Sequence, residues 1–386
     1  MLLVLFLPPR SVDRSPAERT AMPLESTPAV KERAARVSGD ADTLEGPLKG
    51  YHHETYVFPL PAEAGQAPGW RWKFREPRDS LFWFDRRCFH SEEELLVALR
   101  GRITRIPDVG EKDGFRLQQF IEGRTLGVSV AAHSVLPDVW VDQIITLFRE
   151  LTRIAPNALV VKRRCEKRDH APDGDTKAFL EGLIRFTEER VYLRNEDRFG
   201  GLFKEFGIDR QSFDVLRRKA RGMKKSRPFC LLHGDLHREN FIVDLHGRLW
   251  TIDWELAMVG DPLYDLATHL HLMRYSPQQA GEVTDRWCAA VEEAREGSSA
   301  GCAEDLDRLL AYKQAQSVFT DVIRIAQTLD SASGPDGERL ERAAHKVGGV
   351  LTAASDALAL SSVKSHGYIV DALRRWTRPE GAASRR

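Results

Sequence analysis

Leu231-Leu232-His233-Gly234-Asp235-Leu236-His237-Arg238-Glu239-Asn240, followed by Ile252-Asp253-Trp254, decides the reading of this 386-residue chain. A carboxylate, an amide and a second carboxylate each stand where an apolar run meets a loop. Phosphoryl transfer from a nucleotide needs such a set: one acid to orient an attacking hydroxyl, and two oxygen ligands for magnesium. Pro228 to Leu232 reads as a short buried strand running into His233, which puts Asp235 on the loop beyond it.

The spacing argues that these groups meet. Phe241 to Asp244 and Arg248 to Ile252 are short runs rich in β-branched and aromatic residues, with His246-Gly247 between them. That composition predicts a hairpin. With His246-Gly247 as a two-residue turn, Asn240 faces Asp253 across the open end. Phe241, Val243, Leu245, Trp250 and Ile252 then form an apolar face of opposite parity. A bulge would move this register by one residue.

His233-Gly234-Asp235-Leu236-His237 with Asn240, Ile252-Asp253-Trp254-Glu255, and Gly260-Asp261-Pro262-Leu263-Tyr264-Asp265-Leu266-Ala267 together resemble the aminoglycoside phosphotransferase and choline kinase family. The resemblance implies an α+β, two-lobed, protein-kinase-like fold with a small β-rich N-terminal lobe and a larger, mainly helical C-terminal lobe. It implies Asp235 as the catalytic aspartate, His233 as the residue that shapes its loop, and Asn240 and Asp253 as magnesium ligands. Asp261 and Asp265 match acids that hold the catalytic segment in place. Asp261 before Pro262 also suits a helix N-cap followed by a first-turn proline.

In the first lobe, Gly50-Tyr51-His52-His53-Glu54-Thr55-Tyr56-Val57-Phe58 resembles the family's turn over the nucleotide phosphates, although one glycine makes a poor glycine loop. Trp70 to Arg75 alternates aromatic and cationic side chains, so Arg71, Lys73 and Arg75 share one strand face. A kinase needs one cation there, braced by a helical carboxylate. Lys73 is the choice and Arg75 the fallback. The brace is expected from the helix Ser91 to Arg100. Ser91 and Glu94 form a capping box, which leaves Glu92 or Glu93 for the ion pair, and Glu92 lies on the side of Leu96 and Leu99. Phe115 to Ile121 reads as a strand leading to the connector between lobes, where Gln119 to Ile121 would offer backbone groups to adenine.

Composition bounds the rest. Lys plus Arg equals Asp plus Glu, 57 each, so no global field recruits nucleic acid. Five cysteines without a C-x-x-C pair argue against a disulfide framework or a zinc site. Leu2 to Leu7 is short for a signal core, and no run reaches membrane-spanning length. The expectation is a cytoplasmic enzyme, monomer or homodimer, without a membrane or nucleic-acid partner. Its donor is ATP, with GTP the alternative, and its metal is magnesium. A disordered leader is expected over residues 1–44, with a short helix near Val30 to Val37. The nucleotide lobe is expected over 45–121, and the helical lobe over 122–376 with its catalytic segment at 228–270. A disordered tail follows over 377–386.

Only seven residues separate Asp253 from Asp261, and no Ala-Pro-Glu follows. The long activation segment of protein kinases does not fit, so the acceptor is expected to be a hydroxyl of a small molecule. Acids at Glu292, Glu293, Glu296, Glu304, Asp305 and Asp307 read mostly as solvated helix faces. Asp321, and Glu255 beside the metal site, are the candidates for acceptor contacts. The basic clusters around Arg217 to Arg227 and Lys162 to Arg168 read as surface. Three functions fit: transfer to an aminoglycoside or other antibiotic-like acceptor, a choline- or sugar-type metabolic kinase, and a non-catalytic nucleotide-binding regulator. Retention of all three polar residues speaks against the third.

Overall fold

A computed structural model describes residues 27–48, 50, 52–60, 70–78, 84, 86–130, 134–329 and 336–377. The first lobe is a five-stranded antiparallel sheet in the order β1-β2-β3-β5-β4. Its strands are β1 (Glu45–Leu48), β2 (His53–Pro59), β3 (Arg71–Pro77), β4 (Val109–Lys112) and β5 (Phe115–Gln119). Alternation in β3 sends Trp72 and Phe74 into the lobe's core and leaves Lys73 and Arg75 on the other face. The helix α1 (Pro28–Ser38) closes that core with Val30, Ala34 and Val37, spaced to share one face. Helix therefore occupies part of the expected leader. Residues 1–26 and 378–386 lie outside the described residues.

The helix α2 (Glu92–Leu99) starts at Ser91, whose hydroxyl accepts from Glu94 N at 3.2 Å. The carboxylate of Glu94 does not return the bond and pairs instead with Arg116 at 3.2 Å. Beyond the connector, β6 (Arg124–Thr125) joins β8 (Phe241–Val243) and β9 (Leu249–Thr251) in one small sheet, while β7 (Cys230–Leu232) pairs with β10 (Met258–Gly260). Around them pack α3 (Leu126–Ser129), α4 (Asp138–Thr152), α5 (Thr176–Phe186), α6 (Glu196–Glu205), α7 (Gln211–Arg221), α8 (Pro262–Met273), α9 (Pro277–Ala294), α10 (Cys302–Leu329), α11 (Gly337–Ala353), α12 (Ser355–Leu358) and α13 (His366–Thr377). Among the described residues, no helix is long and apolar enough to cross a membrane.

The hairpin differs from its expected register by one residue. Phe241 pairs with Thr251 and Ile242 with Trp250, so Asn240 faces Ile252, whose N donates to the Asn240 carbonyl at 3.0 Å. The cause is a three-residue loop, Leu245 to Gly247, in place of a two-residue turn. The Asp244 carboxylate accepts from His246 N and Arg248 N at 2.9 Å each, and Gly247 takes a left-handed φ of 74°. The faces change accordingly: Phe241, Leu249 and Thr251 are buried together, Ile242 and Ile252 face the cleft, and Leu245 is exposed.

Two members of the groups read as surface are buried. The guanidinium of Arg227, 0% exposed, makes a two-pronged bond to Asp261 at 2.8 and 2.8 Å and reaches Asp305 at 3.1 Å. Asp305, also 0% exposed, further accepts from Lys224 N and Lys225 N. Asp261 in turn caps α8 through Leu263 N at 3.0 Å. The end of the catalytic segment is thus clamped to α10.

Candidate active site

The loop between β7 and β8 is fixed from beneath. His233 N and Gly234 N both donate to the Asp265 carboxylate at 2.8 Å, from the first turn of α8. Gly234 has φ 83°, and a Cβ there would lie 2.6 Å from the Leu256 carbonyl, so the turn requires glycine. The fully buried His233 accepts from Asp235 N at 3.3 Å through Nδ1 and donates to the Ile252 carbonyl at 3.1 Å through Nε2. Burial pulls its pKa down to about 4. It is a neutral strut between the loop and the hairpin.

Asp235 is presented at the top of this loop. Its Oδ2 accepts from Asn240 Nδ2 at 3.1 Å and from His237 Nε2 at 3.3 Å. Burial pushes its pKa up, but His237 and His233 outweigh burial and hold it below the ordinary aspartate value. His237 is raised in return: burial opposes its charge, and the bond to Asp235 prevails. The motif contained His237, but nothing in the sequence assigned it this role. Asn240 also donates to the Asp235 carbonyl at 2.9 Å. Its amide nitrogen is committed to the loop, which leaves its amide oxygen for a cation.

Asp253 follows β9 in the left-handed region, φ 65°. Its Oδ1 is buried without a hydrogen-bond partner, and the nearest cation, Arg75 Nη2, is 3.7 Å away. Burial pushes its pKa up to about 7, assisted by Glu92, Glu255 and Asp235 and opposed by Arg75. Oxygen atoms of Glu92, Asp253 and Glu255 lie within 4.8 Å of one another. An unbonded buried carboxylate oxygen among further carboxylates, with the Asn240 amide lining the same cleft, is an oxygen-rich donor set of the kind that suits a hard divalent cation.

The brace from α2 is Glu92, but its partner is Arg75 and not Lys73. Arg75 Nη1 donates to Glu92 Oε2 at 2.7 Å, and Glu92 Oε1 accepts from Trp254 N at 2.9 Å. One carboxylate thereby links the first sheet, α2 and the loop after β9. Arg75 also meets Gln118 at 3.3 Å and His53 at 3.0 Å. The longer, forked guanidinium reaches several partners at once, where a lysine offers a single point. Lys73 lines the cleft too, its pKa drawn down to about 8 by burial and by Arg75. Glu93 turns to Ser91 and Gln118 instead. On the expectation that the first lobe binds nucleotide, Arg75→Ala should raise the KM for nucleotide about tenfold, by removing a charge-assisted pair. Steady-state kinetics should find a smaller effect for Arg71→Ala, since Arg71 pairs with exposed Glu45 and Glu122 at the lobe's edge.

The remaining expected residues divide. Gly50 and Ile121 line a cleft of about 870 Å3 that also holds Lys73, Asp235, Asn240 and Asp253. Gln119 does not: its N donates to the Asp108 carbonyl at 2.7 Å and its side-chain oxygen accepts from Asp108 N, which turns it to the far side of the sheet. Glu255 is no open acceptor contact. It is 8% exposed and bonded to His52 Nδ1 at 2.6 Å and Arg87 Nη2 at 2.7 Å, tying the first lobe to the catalytic segment. Asp321 lies 3.8 Å from Arg324 and lines a smaller cavity of about 150 Å3 that Asp235 also borders.

Comparison with known proteins agrees with this layout. Residues 50–297 match the model of the phosphotransferase enzyme family. Among solved structures, the macrolide 2'-phosphotransferase MphH of Brachybacterium faecium is 17% identical, with 87% of this chain and 99% of that one covered at a TM-score of 0.52. The gentamicin complex of APH(2'')-IIa is 16% identical, covering 90% and 99% at a TM-score of 0.50. The choline kinase LicA of Streptococcus pneumoniae is 17% identical, covering 86% and 98% at 0.49. At these identities the first two structures speak for the fold alone, and the third carries no argument. The search of curated proteins gives no match. Matched over more than half of its length, the chain belongs to the phosphotransferase enzyme family and has the two-lobed, protein-kinase-like fold of the macrolide and aminoglycoside phosphotransferases it resembles.

Proposed function

We propose that this protein transfers the γ-phosphate of ATP, with GTP the alternative donor, to a hydroxyl group of a small molecule. The observation that carries the reading is the convergence of Asp235, Asn240 and the unbonded Asp253 oxygen on one interlobe cleft. Magnesium held by Asn240 and Asp253 would neutralise charge on the β and γ phosphates. Arg75, braced by Glu92, and Lys73 supply fixed positive charge on the first-lobe side. Gly50 would lie beside the phosphates and Ile121 beside the base, both lining the cleft.

Asp235 accepts a hydrogen bond from the acceptor hydroxyl and aligns it with the γ phosphorus. Its lowered pKa suits orientation better than strong base catalysis, and a loose transition state asks mainly for positioning. The acceptor enters beside Asp235, in the cavity bordered by Tyr264, Lys313, Gln316, Ser317 and Asp321. That mixture of donors and acceptors suits a polyhydroxylated molecule, an aminoglycoside or other antibiotic-like compound or a sugar. Choline fits less well, because Lys313 Nζ already lies 5.2 Å from the Tyr264 ring centre, the face a quaternary cation would use. We place the enzyme in the cytoplasm, as a monomer or homodimer. Magnesium-dependent ADP release against antibiotics, sugars, choline and ethanolamine tests the reading. A hydroxylated acceptor that stimulates release and gains one phosphate by mass supports it. Nucleotide binding without transfer to any acceptor would favour a regulatory protein.

A further inference from the structure

A second cluster of reactive side chains lies away from the cleft, where the segment before α2 meets the loop after α4. Phe89 and Arg163 form an isolated antiparallel bridge, flanked by His90 N to the Lys162 carbonyl at 3.0 Å and Arg164 N to the Cys88 carbonyl at 2.9 Å. This pairing brings two cysteines together from distant parts of the sequence. Cys165 Sγ donates to the Cys88 carbonyl at 3.5 Å, which sets the two cysteines against one another. On its other side, Cys165 Sγ lies 3.1 Å from His170 Nε2. Cys88 is 4% exposed, whereas Cys165 is half-buried and opens, with Arg86, Arg163 and Asp173, onto a cavity of about 140 Å3. A reachable thiol therefore has a base on one side and a sheltered thiol on the other.

We propose that Cys165 is a redox-modification site, oxidised by hydrogen peroxide with His170 as its base and Cys88 as its resolving thiol. In the first step His170 takes the Cys165 proton, and the sulfur attacks one peroxide oxygen. The O–O bond breaks, two electrons pass from sulfur to oxygen, and the leaving hydroxide takes the proton from His170 as water. Cys165 is then a sulfenic acid. In the second step the Cys88 sulfur attacks Cys165, the S–O bond breaks, and hydroxide leaves with the Cys88 proton as a second water. The disulfide joins the segment carrying Arg87, the partner of Glu255, to the helical lobe.

The electrostatics favour this order. Hydrogen bonds from Cys88 and His170 bring the Cys165 thiol down to about 5 against its burial, with Arg86 assisting, while the same bond and burial push Cys88 up. A zinc site does not fit. Among the described residues only Glu92, Asp253 and Glu255 bring three donor atoms within 4.8 Å. Cys288, half-buried, and Cys302, buried, are also free cysteines, but no histidine is hydrogen-bonded to either among the described residues, so they serve as an internal comparison.

The test is peroxide treatment of the full-length protein followed by non-reducing peptide mapping. A Cys88–Cys165 crosslink is expected in the wild type. Cys88→Ser should stop at a Cys165 sulfenic acid trapped by dimedone, and Cys165→Ser should leave Cys88 reduced. Thermal melting of the reduced variants checks that each is folded. Alkylation supplies an independent readout. A low-pKa thiolate is a weaker nucleophile, so the pH profile tells more than the rate at neutral pH. An ordinary thiol slows about tenfold per pH unit below its pKa. Cys165 is expected to hold its iodoacetamide rate within about twofold between pH 6 and 8, and His170→Ala to slow it about tenfold at pH 6. Oxidation confined to Cys288 and Cys302, or a Cys165 profile equal to that of the unfolded chain, would overturn the proposal.

Discussion

Asp235→Asn is expected to lower kcat by about 100- to 10,000-fold while nucleotide affinity and melting temperature hardly move. The loop does not depend on the Asp235 carboxylate for its shape. Asp265 grips His233 N and Gly234 N, His233 spans to Ile252, and Asn240 bonds the Asp235 backbone carbonyl. On the proposed function, the variant loses the anionic oxygen that orients the acceptor hydroxyl. His237 reports the change independently: its pKa is raised by Asp235, so in the variant its NMR titration should move to lower pH. An Asp235→Asn enzyme with normal kcat would remove Asp235 from the reaction. A variant that melts far below the wild type would make its role structural.

Arg227→Met carries the second large effect, on stability. The substitution keeps much of the volume but leaves Asp261 and Asp305, both 0% exposed, facing an apolar chain. Breaking a buried pair by removing one partner costs about 3–5 kcal/mol, because the remaining charge stays desolvated. The loss is partly limited by the bonds that Asp261 keeps to Leu263 N and Asp305 to Lys224 N. Denaturant unfolding should register this cost for Arg227→Met and about 0.5 kcal/mol or less for Arg221→Met, an exposed member of the same basic run. Equal effects at the two positions would mean that the clamp contributes nothing.

These residues also mark how far the sequence could be read. The motif from His233 to Asn240 and the apolar strands around it were legible because each polar group interrupts an apolar run at a strand end. The clustering of Asn240 and Asp253 followed from the hairpin, but its register did not. Asp244, an ordinary acid in the sequence, lengthens the turn by accepting two backbone bonds, and that shifts every pairing by one. Arg75 and Lys73 share a strand face, so parity could not separate them. Their difference lies in the reach of the guanidinium to Glu92, which depends on where α2 sits. Arg227 and Asp305 looked like solvated charges because burial of an ion pair is a tertiary fact with no local signature. His237 and Glu255 stood inside the recognised motifs, yet their partners, Asp235 and the pair His52 and Arg87, are chosen by the fold.

The central claim is that Asp235, Asn240 and Asp253 act as one magnesium-dependent phosphoryl-transfer centre. The most direct measurement is ADP release titrated with magnesium, wild type beside Asp253→Asn, in the presence of an acceptor that the wild type phosphorylates. Asp253 offers a buried oxygen that no protein donor satisfies, and replacing the carboxylate by an amide removes its charge at almost constant shape. The wild type should show saturable magnesium-dependent turnover, and Asp253→Asn should show none at any magnesium concentration while melting at or above the wild-type temperature. A folded Asp253→Asn enzyme with an unchanged magnesium titration would contradict the account.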